Sequence, residues 1–460
     1  MRVALALDRL HPNHALDVLR DPLGVTSEPR RPGRVESHQY SGVPRTRLAV
    51  ALAASAAALV APVAVSSAAV AAVDNHITQT SVATPESGPN GSFSRAISDD
   101  GRYVVFASHQ PNLVPSEPGD VGRYVYLRDT QTGATTRLSH GTDGYLIGNA
   151  AISGNGRYVV FASKEGPFDQ AALRLVNTKT GKVRVIAQTS TPGTQIIDWY
   201  SVGISDNASS VVYTQTTSAD DVTWVTRIYR YDVASRVTTP LIDGPIGGPP
   251  NRSNYATVPS LSADGRYVTF VQATDPGADM TPYELVRLDT TTGARLVIDT
   301  STPQNTPGNA FGDPSLSNSG RYVAFHDLDA AGAPHVYLHD ADKHTTKLVD
   351  RTAAGQPSAT RASQPQVSGD GRYVAFSSSA TDLVAGTPAV GQIYVWDRTT
   401  KGLDAIVRNR QGLYPGSPGA LSSMPYIDGD GSTIGFTSTA LNLALGQAAT
   451  RLERVFVWQR

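Results

Sequence analysis

The sequence predicts an all-β fold, a closed ring of seven four-stranded antiparallel blades. Three observations predict it. One ten-residue line is written seven times, a hairpin turn sits at the centre of most copies, and helix-length apolar periodicity is missing between them. The copies read ISDDGRYVVF at 97–106, ISGNGRYVVF at 152–161, ISDNASSVVY at 204–213, LSADGRYVTF at 261–270, LSNSGRYVAF at 316–325, VSGDGRYVAF at 367–376 and IDGDGSTIGF at 427–436. Their centres, at 101, 156, 208, 265, 320, 371 and 431, are 55, 52, 57, 55, 51 and 60 residues apart. That period is too long for one hairpin and suits a four-stranded unit with one long loop.

The elements of a unit follow in order. Asp-Gly or Asn-Gly between two apolar runs is a strong hairpin signal. It joins a first strand, Ala96–Ser98, to a second from Tyr103 to Ala107. The second strand runs Val104, Val105, Phe106 with almost no polar alternation, so both of its faces are covered. A radial stack of blades covers both faces of every sheet. Third strands follow at Tyr124–Asp129, Ile228–Asp232, Tyr283–Asp289, Val336–Asp340 and Ile393–Asp397. Thr132-Gly133, Thr180-Gly181 and Thr292-Gly293 turn into fourth strands such as Thr136–Ser139. Pro259, Pro314, Pro365 and Pro425 each stand two residues before the first strand's apolar residue. Proline donates nothing to a ladder and belongs on an edge, so the first strand is the edge facing the central channel.

The ends predict how the ring closes. The seventh copy stops at its third strand, Arg454–Trp458, without a fourth. A spare strand, Ile77–Val82, precedes the first copy and supplies it. The architecture is therefore a β-propeller whose last blade is completed by the N-terminal segment.

The Ser-x-Asp-Gly-Arg-Tyr-Val-x-Phe line, followed by Ile-Tyr-Val-x-Asp-x-x-Thr-Gly, resembles the WD40-like (PD40) repeat of TolB-type β-propellers. The resemblance covers roughly residues 77–460. It implies a fold shared by periplasmic scaffolds, by propeller domains of prolyl-peptidase-like enzymes and by secreted actinobacterial proteins. TolB-type propellers usually have six blades, against seven copies here. The loops at Asn112–Val114, Thr381–Val384 and Leu441–Leu443 resemble a secreted subgroup whose loop often continues as Asp-x-Asn-Gly, which implies a cation site. Here the continuations are Pro115–Asp120 and Ala385–Pro388, which depart from that pattern.

Composition gives an address. The chain has no cysteine, a formal net charge of −1 and a pI near 6.8. Near-neutral charge argues against a nucleic-acid partner, which calls for a basic face. Arg45 and Arg47, the uncharged run 48–71 and the small-x-small triplet Ala69-Val70-Ala71 read as an export signal with cleavage near Ala71. The organisation is then 1–42 as a disordered or mis-assigned start, with Val43 as the true start; 43–73 as signal peptide; and 74–460 as the propeller. The product is expected outside the cell or on its envelope, with no stable membrane insertion after cleavage, as a monomer; the alternative for the apolar run is an uncleaved membrane anchor.

Catalytic signatures are scarce. The sequence lacks a Gly-x-Ser-x-Gly elbow, a His-Glu-x-x-His motif and a Walker loop. A prolyl-peptidase-like reading needs a hydrolase domain beyond the repeats. The histidines, His76, His109, His140, His326, His335, His339 and His344, fall on different strand and loop types and are not expected to converge. His335 and His339 share one face of a strand and are expected as polar groups at a blade surface. The aspartates ending the third strands are expected to cap the turns that follow. The Arg-Tyr pairs recur with the blades and are expected to pack them, with Arg over a neighbouring ring or carboxylate.

A binding site should break the repeat rather than follow it. The connections from fourth strand to next first strand vary most, and they carry Tyr145, Trp199, Tyr200, Arg252, Tyr255, Phe311, Arg361 and Tyr414. Trp199, Tyr200, Arg252, Tyr255 and Tyr414 are the candidate ligand-binding residues, since exposed aromatics beside Asn, Arg and Asp suit a peptide or glycan surface. The expected function is a non-enzymatic binding or scaffold role toward a protein, peptide or cell-envelope glycan, without cofactor or metal. The alternatives are a hydrolase or lyase at the channel mouth and a structural propeller holding a loop cation.

Overall fold

The computed structural model describes residues 76–81 and most of 91–460. It leaves out 82–90, 116–121, 141–144, 165–170, 189–194, 199–200, 219–223, 247–258, 275–281, 302–310 and shorter connecting stretches. The expectations for 1–42, for the signal segment and for its cleavage lie outside the described residues. Every regular element among the described residues is a strand.

The first sheet contains β2 (Ser92–Ile97), β3 (Tyr103–Ser108), β4 (Tyr124–Asp129) and β5 (Thr135–Arg137), hydrogen-bonded in that order. The second repeats it with β6 (Tyr145–Ile152), β7 (Tyr158–Lys164), β8 (Ala171–Asn177) and β9 (Val183–Gln188). In the third, the inner strand is split into β10 (Gln195–Asp198) and β11 (Val202–Ile204). Both halves pair with β12 (Ser210–Ser218), which is followed by β13 (Trp224–Asp232) and β14 (Thr238–Pro240). The fourth holds β15 (Ser260–Leu261), β16 (Tyr267–Ala273), β17 (Tyr283–Asp289) and β18 (Arg295–Thr300). The fifth holds β19 (Gly312–Leu316), β20 (Tyr322–Leu328), β21 (Pro334–Asp340) and β22 (Thr345–Leu348). The sixth holds β23 (Ala362–Val367), β24 (Tyr373–Ser378), β25 (Gln392–Asp397) and β26 (Leu403–Ala405).

The seventh sheet closes the ring. It runs from β27 (Ser422–Ile427) through β28 (Thr433–Ser438) and β29 (Arg454–Gln459) to β1 (Ile77–Gln79). Ile77 faces Trp458, Thr78 faces Val457 and Gln79 faces Phe456. Ser81 Oγ accepts the Val455 N–H at 3.0 Å, which extends the clasp beyond the strand. The N-terminal segment thus supplies the missing fourth strand.

The innermost strands of all seven sheets line one central cavity, as the edge prolines require. The prolines also mark something the sequence did not announce. Pro314, Pro365 and Pro425 each sit in a β-bulge between paired positions of the inner strand, with Gln364 and Met424 at φ +56° and +54°. The first and second blades carry the bulge without a proline.

Blades pack through the recurring line. Val104, Val105, Phe106 and their equivalents are buried, and an aromatic stack between second and third strands recurs as Phe106–Tyr126, Phe325–Tyr337 and Phe376–Tyr394. The hairpin glycine meets the previous blade's tyrosine. A Cβ added at Gly156, Gly320, Gly371 or Gly431 would fall inside the ring of Tyr103, Tyr267, Tyr322 or Tyr373, respectively. These glycines also hold φ near +70°, a backbone that side chains disfavour. Position 208 keeps the same conformation with alanine, at φ +55°.

Two outcomes are expected. Deleting residues 74–84 should remove several kcal/mol of stability and promote aggregation, because a packed strand leaves and an edge opens. Thermal unfolding against the undeleted chain measures this, and equal melting would refute closure by β1. Gly371→Ala should cost roughly 2–4 kcal/mol, strain and clash together. Gly293→Ala, at φ +75° with open space around it, should cost about 1 kcal/mol from strain alone. Denaturant midpoints of the two variants make the comparison.

Candidate functional site

The charged residues of the repeat are consumed by the blades themselves. Arg102 pairs with Asp129 at 2.7 Å, Arg266 with Asp289 at 2.6 Å, Arg321 with Asp340 at 2.7 Å and Arg372 with Asp397 at 2.9 Å. Each arginine immediately precedes the second strand and each aspartate ends the third strand of the same blade. The Arg102 hydrogen bond holds the Asp129 carboxyl down at about 2. The same aspartates accept N–H groups of the following turn, Gln131 and Thr132 for Asp129 and Thr399 and Thr400 for Asp397. Both structural expectations hold, with one refinement. The guanidinium lies over its own tyrosine, 4.9 Å from the ring of Tyr103 and of Tyr267. The neighbouring blade contributes a second arginine in two places, Arg398 over Tyr322 at 4.4 Å and Arg460 over Tyr373 at 3.9 Å.

The cavity wall is polar yet largely self-satisfied. Side chains of one inner strand accept backbone N–H groups of the next. Asn149 Oδ1 accepts from Val202 (2.9 Å), Ser260 Oγ from Leu316 (3.0 Å), Ser315 Oγ from Val367 (3.0 Å) and Gln364 Oε1 from Met424 (2.9 Å). Backbone bonds form a second ring at the hairpin end. Asp99 N–H donates to Gly154, Ala263 to Asn318, Asn318 to Gly369 and Gly429 to Asp99.

Asp99, Asp206 and Asn318 occupy that end of the cavity, which Asp428 also lines. Each of the first three lies over a glycine of an adjacent blade, Gly429, Gly154 and Gly369, respectively. Asn318 Nδ2 donates to both Asp99 oxygens, at 3.0 and 3.2 Å. Asp206 Oδ2 is buried without a hydrogen-bond partner. Burial, then the Asp99 charge, push the Asp206 carboxyl up to about 7. The sequence reading passed over these residues. Their signal was the variable position after the repeat's serine, which reads Asp99, Gly154, Asp206, Ala263, Asn318 and Gly369 in the first six copies.

On the opposite face, hydrogen bonds tie the inter-blade connections to the loops after the second strands. Ala359 N–H donates to Asp382 Oδ2 and Arg410 N–H to Asn442 O. The two loop types therefore share one face. Of the five candidate binding residues, Tyr414 lies there, half-buried, on the connection from β26 to β27. Arg408 Nη2 donates to Tyr414 Oη at 2.7 Å, and its guanidinium stacks 4.2 Å from the ring. Leu413 and Leu421 on the same connection are 64% and 49% exposed. Trp199, Tyr200, Arg252 and Tyr255 lie outside the described residues. Two of the three loops likened to a cation-binding subgroup are closed by their own side chains. Thr387 Oγ1 donates to Val384 O, and Gln447 Oε1 accepts the Leu443 N–H. Among the described residues no three His, Asp or Glu side chains gather as metal ligands.

The histidines differ from expectation in one respect. His335 and His339 do share a face of β21, but both are buried rather than at the blade surface. His335 Nδ1 lies 2.7 Å from Asp350 Oδ2, and His339 Nδ1 lies 2.9 Å from Thr346 Oγ1. Thr346 belongs to β22, so the outer strand covers what a bare face would expose. His326 accepts the Gly312 N–H through Nε2, and burial lowers its imidazole to about 4.

Seven radial sheets, the shared repeat line and the strand-closed ring decide the fold. It is a seven-bladed β-propeller. Neither a protein-family model nor a curated protein sequence matches the chain. Among solved structures, oligogalacturonate lyase in complex with manganese shares 14% identity over 83% of this chain and 92% of its own, with a TM-score of 0.52. The oligogalacturonate lyase of Vibrio parahaemolyticus shares 13% over 83% and 93%, also at 0.52. TolB from Acinetobacter baumannii shares 15% over 70% and 64%, at 0.40. At these identities the likeness is one of fold.

The Asp206 carboxyl makes the stability of the propeller depend on pH. Its folded pKa is raised, so the folded state binds more protons than the unfolded one. Stability is full below the carboxylate's ordinary range, near 3.8, and falls as pH rises toward about 7. Asp206→Asn should therefore stabilise the protein by roughly 2–4 kcal/mol at pH 8 and by little at pH 4. Denaturant titrations at the two pH values test this; a gain independent of pH would refute it.

Proposed function

We propose that this propeller is a non-enzymatic binding or scaffold protein of the cell exterior or envelope, which holds a protein, peptide or glycan on its loop face. One observation carries the reading. The connection 408–415 sets the stacked Arg408–Tyr414 pair beside exposed Leu413, on a scaffold of buried strands. An aromatic side chain with a fixed cation and flanking apolar surface suits stacking and directed hydrogen bonds. By sequence, Arg252 and Tyr255 fall between β14 and β15, an equivalent connection, whereas Trp199 and Tyr200 fall between the two halves of the third blade's inner strand; the proposal includes all four. The central cavity, about 200 Å³, is smaller than the ~300–1,000 Å³ usual for ligand pockets, which favours a surface site.

The second reading is a hydrolase or lyase at the channel mouth. The convergence of Asp99 and Asp206 at the hairpin end favours it, as does a fold shared with an oligogalacturonate lyase crystallised with manganese.

The test is capture of ligand from a bacterial cell-envelope digest by the immobilised protein. Trp199→Ala, Tyr255→Ala and Leu413→Asp should each weaken capture by about 1–3 kcal/mol, the scale of an interface anchor, with melting unchanged. Undiminished capture by all three would refute the loop-face site. Turnover of oligogalacturonate with added manganese, abolished by Asp206→Asn, would replace the binding reading with the second one.

A further inference from the structure

In the first six blades, the turn from third to fourth strand holds one residue at positive φ. It is Gly133, Gly181 and Gly293 in the first, second and fourth, the residue type that suits this backbone. The third, fifth and sixth blades place Arg236, His344 and Lys401 there instead, at φ +62°, +51° and +64°. A side chain kept at a strained backbone position points to a use for it. His344 and Lys401 stand on adjacent blades, and Lys401 belongs to a group of cations that meet between those blades.

The meeting place is the groove between the fifth and sixth blades at the outer rim. Lys347 of β22 pairs with Leu338, and so projects on the side of the fifth blade that packs against Trp396 and Leu403 of the sixth. Lys401 Nζ lies 5.3 Å from the centre of the Trp396 ring, and the Arg398 guanidinium lies 4.4 Å over Tyr322 of the fifth blade. Burial first, then the charges of Lys347, Arg398 and Arg351, lower the Lys401 ammonium below its ordinary value, which places all three within electrostatic reach of it. Lys347, Arg351 and Lys401 are exposed. The carboxylates nearby are already engaged: Asp340 and Asp342 pair with Arg321, Asp397 with Arg372 and Asp404 with Arg408. Among the described residues, Lys347, Arg351 and Lys401 form no ion pair. A separate observation falls in the same groove. The Trp396 Nε1 donor is buried beside Lys401 and has no acceptor among the described residues.

Uncompensated cations and an orphan donor call for a ligand with several anionic oxygens. We propose that this rim groove binds a linear phosphodiester polymer of glycerol or sugar units. Cations contributed by separate strands and turns suit an anion that repeats along a chain. Lysine is a point charge that meets a phosphate oxygen from any direction, whereas the propeller holds its own planar carboxylates with arginine forks, as Arg372 Nε and Nη2 hold Asp397. Nucleic acid is the poorer fit among phosphodiesters. Both rings of the groove are buried beneath cations, Trp396 at 2% and Tyr322 at 8% exposure, and offer no face for a base to stack on. The groove is distinct from the loop-face site, since Lys401 precedes β26 at its hairpin end and the Arg408–Tyr414 pair follows it.

Fluorescence anisotropy of labelled poly(glycerol phosphate) with the full chain, at 50 and 200 mM salt, tests the proposal. The double variant Lys347→Gln, Lys401→Gly should bind about tenfold more weakly at 50 mM salt. Its slope of log affinity against log salt should be shallower by about 0.7 for each lost contact. Glycine suits the backbone at 401, so melting should not fall and weaker binding is not loss of fold. Two controls should bind as the unaltered chain does: Lys179→Gln with Lys182→Gln, exposed lysines of the second blade, and Leu413→Asp on the loop face. Failure of the unaltered chain to bind, full binding by the groove variant, or an equal loss in the second-blade control would overturn the groove. Tighter binding of polygalacturonate or of single-stranded DNA of matched charge would overturn the assigned polymer.

Discussion

The structure depends on one contact, the tyrosine that opens each second strand lying against the hairpin glycine of the next blade. Tyr103 on Gly156, Tyr267 on Gly320, Tyr322 on Gly371 and Tyr373 on Gly431 set the spacing and tilt of successive sheets. The contact demands that the glycine lack a side chain, and the turn separately demands its positive φ. Where the tyrosine is absent the ring adapts. Ser210 meets Gly265 and Thr433 meets Gly101, and smaller groups fill the same seat.

That contact explains why so much of the conspicuous chemistry in the line is structural. In four blades the arginine beside that tyrosine stacks on its ring and pairs with the aspartate across the sheet; in the second blade the third strand ends in Asn177 instead. The aspartate is held ionised and caps a turn. Serines, Asn149 and Gln364 of the inner strands tie each blade to its neighbour around the cavity. Outside this set stand Asp206 and Asp428 at the hairpin end, the Arg408–Tyr414 pair on the loop face and the buried His335–Asp350 pair of the fifth blade.

The architecture was legible because its causes are local and repeated. The turn pair, the unbroken apolar second strand, the edge prolines and the unmatched end strands each report on a few residues, and all seven blades agree. The bulges at Pro365 and Pro425 were less legible, since a proline on an edge has several explanations until pairing is seen. His335 was misread because burial of a strand's face depends on what crosses it, here β22 and the Asp350 connection, far from the residue in the pattern. Asp206 was missed for a related reason. A carboxylate after a serine looks like any turn residue, and its perturbation comes from burial in the assembled ring, with a lesser contribution from Asp99, 107 positions earlier.

Closure by β1 has a consequence for the order in which the molecule assembles. Ser81 and Val455 are 374 positions apart, yet they share a hydrogen bond in the seam. Six blades are built from contiguous sequence and can form as the chain emerges. The seventh cannot, because its outer strand is made first and its partner hundreds of residues later. Until then β1 must remain unpaired, near the start of a growing chain, without docking on any of the outer edges that appear before its own. Contacts between such distant segments form slowly, since loop closure precedes any return from packing. The nascent protein is thus an open arc through most of its synthesis, and it becomes a ring in a single late step.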